Sequence, residues 1–362
     1  METSGVTPGV AVRAPELAEL VQAPGPFATI YLTTEGDVEN AAFKSEQRWK
    51  ALRDRLADDG AAEQALAAVD PVVGGAHVHG ACLGVVADGA GTVHVEHGPG
   101  PLAQDVGRWS PLPSLVPLLE WRQALPPHVV VLADRTGADL YAHRRSGPDL
   151  QRQGGGEDDP VAKSSPGGWS QRKFQQRAEN TWEHNADDVA EQLVGLVDQV
   201  EAKLVVAAGD VRALQLLREA LPREMADRLR TVGGGRSEDG SSRAVTHDVH
   251  RLVAETVAAE TAGLVAKLRE ELGQQDRAVE GAGPTFEALA MAQVEVLLVH
   301  DDLFDERQAW FGPDPTHLAL DQDGLRQLGV DQPQPARLAD VAVRAALATG
   351  AGIRVVAEAD AA

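Results

Sequence analysis

Apolar and polar positions recur along this chain in a helical and a strand register, and their succession defines most elements. Over residues 40–57, Ala41, Ala42, Trp49, Leu52 and Leu56 return near helical spacing while Lys44, Arg48, Arg53 and Arg55 take the polar side, which predicts a helix. A short helix at 15–21 and the β-branched strand FATIYLT at 27–33 precede it. A hairpin is expected from strands 77–86 and 92–97, joined by the turn chemistry of Asp88-Gly89-Ala90-Gly91, with His94 opposite Val85 and His97 opposite Cys82. A helix at 114–124 then leads to Pro126-Pro127, which marks a boundary.

Beyond the prolines the register changes. HVVVLADR from His128 reads as a strand, Thr136-Gly137 as a turn and 138–143 as a second strand. The Gly-, Asp- and Pro-rich stretch 147–168 is too irregular for a helix. A long helix follows over 170–202, with Phe174, Ala178, Trp182, Val189, Leu193, Leu196, Val197 and Val200 as its apolar stripe. A buried strand at 203–208, a helix at 211–221 and a mobile loop at 233–242 (GGGRSEDGSS) complete this part. The last third predicts a helix at 247–272, a helix at 286–293 capped by Thr285, a strand at 294–300, a proline-marked break at 331–335, a helix at 338–348 and a strand at 353–357. Helix and strand alternate throughout, so the fold class is α/β. The breaks suggest three domains, 1–126, 127–246 and 247–362.

Composition adds constraints. Hydrophobic residues are 43% of the 362 but aromatics only 4%, so the cores must be aliphatic. The single cysteine, Cys82, excludes an intramolecular disulfide and fits a cytoplasmic protein. The N-terminus METSGVTPGV lacks a secretory pattern, and no apolar run reaches transmembrane length, so no membrane role is expected. A net charge of −22 opposes DNA or RNA unless a basic patch is local.

Such a patch exists. Pro160 to Ala178, PVAKSSPGGWSQRKFQQRA, carries Lys163, Arg172, Lys173 and Arg177 and no acidic side chain. Gly167-Gly168 allows close backbone approach, Trp169 offers a stacking face, and Ser170 and Gln171 offer hydrogen bonds. With a helix beginning at Ser170, the segment suits RNA phosphate and a splayed base. The same composition also fits a flexible soluble loop in which Ser170 simply caps the helix.

Other constellations are poorer. His77, His79, His94, Glu96 and His97 lie at staggered levels and on both faces of the predicted hairpin, which does not make a metal site. Asp134 after its strand is a lone carboxylate, better suited to capping a turn than to holding magnesium. The glycine triplets at 154–156 and 233–235 lack the Lys-Ser/Thr of a phosphate loop. No cofactor is expected.

The series Gly167-Gly168-Trp169-Ser170-Gln171-Arg172-Lys173-Phe174-Gln175-Gln176-Arg177, followed by a long helix and KLVVAA, resembles the middle domain of the Pelota/class-one release factor superfamily, including the bacterial archaeo-eukaryotic release factor-like family and its Balon-like ribosome hibernation factors. In the last third, AVEGAGPTFEALAMAQVEVLLVHDDL and ADVAVRAALATGAGIRVVAE are similar to the start and end of the superfamily's third domain. The first 126 residues carry no codon-reading signature of the Asn-Ile-Lys-Ser type. The resemblance implies a ribonuclease H-like middle domain and a C-terminal α/β domain like the kink-turn-binding ribosomal proteins.

It also implies a ribosome A-site binder that touches ribosomal RNA through Lys163, Gly167, Gly168, Trp169, Ser170, Gln171, Arg172, Lys173, Phe174 and Arg177, with elongation factor Tu as a delivering partner. Hydrolytic members carry Gly-Gly-Gln at the tip. Here Trp169 stands in place of that glutamine, and indole has one donor and no acceptor with which to hold a water. The expectation is a translation-silencing hibernation factor of the stress response. The alternatives are a rescue peptidyl-tRNA hydrolase using Gln171 and a ribosome-independent interaction protein that keeps the fold.

Overall fold

The computed structural model describes residues 11–34, 40–75, 81–98, 100, 102–134, 137–144, 149–154, 170–235, 241–274, 277–300 and 305–356, with backbone alone at 170–183 and 241–242. His77, His79, Lys163, Gly167, Gly168, Trp169, most of the segment 147–168 and residues 236–240 lie outside these residues. The chain forms a mixed α/β protein of two compact units, one built from 1–123 and 261–362, the other from 124–260.

The first third opens with α1 (Pro15–Gln22), β1 (Phe27–Thr33), α2 (Ala41–Asp58), α3 (Glu63–Gly75), β2 (Cys82–Asp88), β3 (Val93–Gly98), β4 (Val106–Ser110) and α4 (Val116–Ala124). Its antiparallel sheet has the order β3-β2-β1-β4. Strand β1 lies at the centre and is buried on both faces, which is why FATIYLT is apolar with little alternation. Ala28, Ile30 and Leu32 face Trp49, Leu52 and Leu56 of α2 and Leu66, Val69 and Val73 of α3. Phe27 and Tyr31 face the other way, toward Leu17 of α1 and Leu115 and Leu118 near α4.

Helix α3 escapes the sequence reading because Pro71 interrupts its pattern. The burial of Ala65, Leu66, Val69 and Val73 holds it nonetheless. The β2–β3 pairing differs by one residue from the expected register: His94 lies opposite Val86 and His97 opposite Leu83. The connection takes in Thr92, whose carbonyl accepts from Asp88 N at 3.0 Å, so the strands meet one position later.

Arg122 of α4 ties three elements of this unit together. Its guanidinium, only 7% exposed, pairs with Glu16 of α1 and Glu96 of β3, and His94 Nε2 lies 2.7 Å from Glu96 Oε1. Burial opposes ionisation of Glu96, yet His94 and Arg122 together hold its carboxyl below the usual range. Removing one partner of such a pair strands the other charge. Arg122→Ala is therefore expected to lower unfolding stability by about 3 kcal/mol, read from urea denaturation, and Arg122→Lys to recover only part of it.

The middle of the chain forms the second unit: β5 (His128–Asp134), β6 (Gly137–His143), β7 (Leu150–Gly154), α5 (Ser170–Val200), β8 (Leu204–Gly209), α6 (Val211–Ala220), α7 (Arg223–Arg228), β9 (Leu229–Val232) and the greater part of α8 (Ser241–Gln274). The sheet order is β7-β6-β5-β8-β9, with β5, β6 and β7 antiparallel and β8 and β9 parallel to β5. Val129, Val131 and Leu140 pack against Val189, Leu193 and Leu196 of α5 and Leu217 of α6. Val130, Leu132, Val206 and Ala208 pack against Val245, Val249 and Val253 of α8 on the opposite face. Both faces of β5 and β8 are covered, so both read as unbroken apolar runs. Strand β7 falls inside the stretch read as irregular, and Ser241 and Ser242, read as loop, belong to α8.

The last third adds α9 (Ala282–Ala290), β10 (Val296–His300), β11 (Gln308–Phe311), β12 (Leu318–Ala319), α10 (Gln322–Gln327), β13 (Gln334–Arg337), α11 (Leu338–Ala348) and β14 (Gly352–Val356). Strands β10 and β14 pair in parallel, and β12-β11-β13 form a small antiparallel sheet. Helix α9 begins after Gly281 rather than Thr285, whose N–H already bonds the Gly281 carbonyl at 3.2 Å. Helix α11 is buried almost all round through alanines and valines. Leu289, Val341 and Ile353 join Leu17, Phe27 and Leu118 of the first third in one continuous core. Val12 bridges to Ile353 through hydrogen bonds of 2.8 and 3.0 Å.

The compact units thus divide the chain after Gln123 and Glu260, where pattern breaks had suggested 126 and 246. The first division differs by three residues. The second lies further on because α8 runs unbroken through 246 while Val249 and Val253 still pack on the second unit's sheet.

Candidate RNA interface

The basic segment enters the described structure at Ser170, the first residue of α5. Ser170, Gln171, Arg172, Lys173, Phe174 and Arg177 occupy the opening turns of that 31-residue helix. Asn185, Val189, Ala133, Asp134, Gly137 and Leu216 line a small recess at the carboxyl end of β5. Asn185 therefore marks the level at which α5 reaches the end of the sheet. At a rise of ~1.5 Å per residue, the part of the helix preceding it is about 22 Å long. The 170–177 stretch is carried on that leading part.

The helix starts divide by charge: α5, like α2, α4, α6, α8 and α9, has no acidic side chain in its first turn. Five other helices, α1, α3, α7, α10 and α11, place an acidic side chain in their first turn. That choice complements the positive end of the helix dipole. Helix α5 has none there, and its first ionisable residues are Arg172, Lys173 and Arg177, with no carboxylate before Glu179. Cations at a helix N-terminus each oppose the dipole by about 0.3–1 kcal/mol. An anion bound against this end reverses the sign of that interaction, since backbone N–H groups and basic side chains then attract it together.

Carboxylates beside the recess are committed to the backbone. Asp134 Oδ1 accepts from Gly137 N at 3.2 Å, the turn-capping role its position suggested. Asp210, at the end of β8, caps α6 by accepting from Arg212 N at 3.0 Å and Ala213 N at 3.2 Å. In the β2–β3 hairpin His94 is held by Glu96, while His97 lies at an odd-numbered interval on the opposite face. Asn185, 6% exposed within an otherwise apolar stripe, was missed by the sequence reading. A lone polar residue four positions before Val189 was its only signal.

Residues 127–274 match the bacterial archaeo-eukaryotic release factor family 2. Two uncharacterized proteins from separate strains of Mycobacterium tuberculosis are each 27% identical over 347 residues, covering 94% of this chain and 92% of theirs. Among solved structures, a model of ribosome-bound archaeal Pelota and ABCE1 is 16% identical with a TM-score of 0.38, covering 99% of this chain and 94% of that one. Archaeoglobus fulgidus Pelota is 14% identical with a TM-score of 0.33, covering 96% and 87%. An archaeal translation termination factor is 15% identical with a TM-score of 0.25, covering 95% and 90%.

Proposed function

We propose that this protein is a cytoplasmic factor that occupies the ribosomal A site and silences translation, binding ribosomal RNA through Lys163, Gly167, Gly168, Trp169, Ser170, Gln171, Arg172, Lys173, Phe174 and Arg177 and leaving peptidyl-tRNA intact. The observation that carries this reading is the run of cations at the start of α5, on a chain whose net charge is −22. The family match over residues 127–274 supports it. Delivery by elongation factor Tu and action in stressed, idle ribosomes belong to the same reading. Segments 1–126, 127–246 and 247–362 serve in it as three functional domains, the outer two sharing a core. The order β7-β6-β5-β8-β9 suits a ribonuclease H-like middle domain, and the parallel β10–β14 pair with α9 and α11 suits a kink-turn-binding C-terminal one.

The second reading, rescue by peptidyl-tRNA hydrolysis, needs Gln171 to do the work of the family glutamine. Gln171 is the second residue of α5, so its backbone is already helical. Water must be held at the ester carbon by a donor and an acceptor together, and the residue at the tip position, Trp169, has no acceptor.

Ribosomes carrying peptidyl-tRNA separate the readings. With saturating wild-type protein co-sedimenting, the ester is expected to survive, and Gln171→Ala to leave ester cleavage unchanged. Trp169→Ala is expected to weaken binding by about 1–3 kcal/mol through loss of base stacking. Peptide release by wild type that disappears in Gln171→Ala establishes the hydrolase instead, and failure to co-sediment removes both.

A further inference from the structure

Asp340 lies in the first turn of α11 and is 2% exposed. Its Oδ2 accepts a hydrogen bond from Ser114 Oγ at 2.8 Å, across 226 positions of sequence. Ser114 is anchored in turn: its carbonyl accepts from Tyr31 OH at 2.6 Å and its N–H donates to Thr29 Oγ1 at 3.3 Å, both on β1. One carboxylate therefore links the central strand of the first third to the central helix of the last. Its other oxygen, Oδ1, receives no hydrogen bond and faces Arg337 Nη1 at 3.6 Å, an ion pair too long for a hydrogen bond. A charged carboxylate so placed lacks the donors that water would supply.

We propose that Asp340 is a pH-sensitive latch between the N-terminal and C-terminal thirds of the chain, firm when its carboxyl is neutral and loosened when it is charged. The ionisable groups acting on it are Arg337, at the junction of β13 and α11, Arg108 on β4 and Glu306 before β11. Arg108 and Glu306 pair with each other at 3.2 Å, so their effects on Asp340 oppose. Burial outweighs the cations and raises the carboxyl from 3.8 to about 6. A raised carboxyl means that the folded chain holds a proton the unfolded chain releases. The resulting stabilisation is complete below the unfolded value and is lost as pH rises through about 6.

The test uses the full chain. Carbon-13 resonances of the aspartate side chains are followed through a pH titration, and amide exchange of α11 and β1 is compared near pH 5 and near pH 7.5 after correction for intrinsic rates. The expected result is a buried aspartate, absent in Asp340→Asn, that titrates near 6, and protection of α11 about tenfold higher at the lower pH in wild type but nearly equal in the variant. Titration of Asp340 in the ordinary aspartate range overturns the proposal, as does the same pH dependence of protection in Asp340→Asn. Should that variant not fold, the wild-type titration decides, with Ser114→Ala expected to raise the midpoint further by removing the one donor.

Discussion

Gly209→Ala is expected to destabilise the second unit by about 3 kcal/mol or more. Gly209 ends β8 opposite Ala133 of β5, with φ at +142°. A Cβ there would stand 1.8 Å from the Ala133 carbonyl oxygen and 2.8 Å from its carbon. Both are backbone atoms, and the same oxygen already accepts from Asp210 N at 3.0 Å, so neither side can yield without breaking the junction between the two parallel strands. Gly195→Ala is the matched control. That residue sits in α5 with nothing within 4 Å of an added Cβ, and the substitution is expected to stabilise by about 0.5–1 kcal/mol. Urea denaturation of both variants against wild type checks the pair. Equal destabilisation would mean that the β5–β8 contact is looser than the structure places it.

Under the proposed function, replacing Lys163, Arg172, Lys173 and Arg177 together by alanine is expected to remove most of the salt dependence of ribosome binding. Each cation that neutralises a phosphate releases a counterion, so four contacts give a slope of about −3 in log affinity against log salt. For wild type this is a fall of roughly fifty- to a hundredfold between ~50 and ~200 mM salt. The variant should bind weakly at low salt and change little, because the remaining surface is strongly acidic and repels RNA. Sedimentation with purified ribosomes across a salt series reads both quantities. An unchanged slope would move the RNA contact away from α5.

Much of the fold was legible because the relevant patterns are local. The stripe Val189, Leu193, Leu196, Val197 and the apolar runs of β5 and β8 report burial directly, since a helix or strand covered by its neighbours must be apolar on those faces. Helix α5, helix α11 and the β5–β6 hairpin were read in place for this reason. Helix α3, with a proline at 71, and the short strands β4, β7, β9, β11, β12 and β13 were not. Strands of 2 to 5 residues are too short to establish a period, and the half-exposed pattern of β7 or β13 resembles a loop. For the candidate site, the charge reversal between 160 and 178 and the substitution of Trp169 at the tip were plain in the sequence. The helix start at Ser170, where the cations meet a helix dipole, is legible there too, because the Gly- and Pro-rich stretch ends just before it.

The α/β class, the aliphatic cores, the basic segment and its resemblance to a release-factor tip are legible along the chain, because each rests on residues close together in it. Tertiary structure alone decided that the first and last thirds share one core, that β2 and β3 pair one residue beyond the expected register, and that Asp340 is tied to Ser114 across 226 positions. These depend on contacts between distant segments. An alanine-rich helix such as α11 carries the same pattern whether it closes its own domain or buries Leu17 and Phe27 from the other end of the chain, and only packing distinguishes the two.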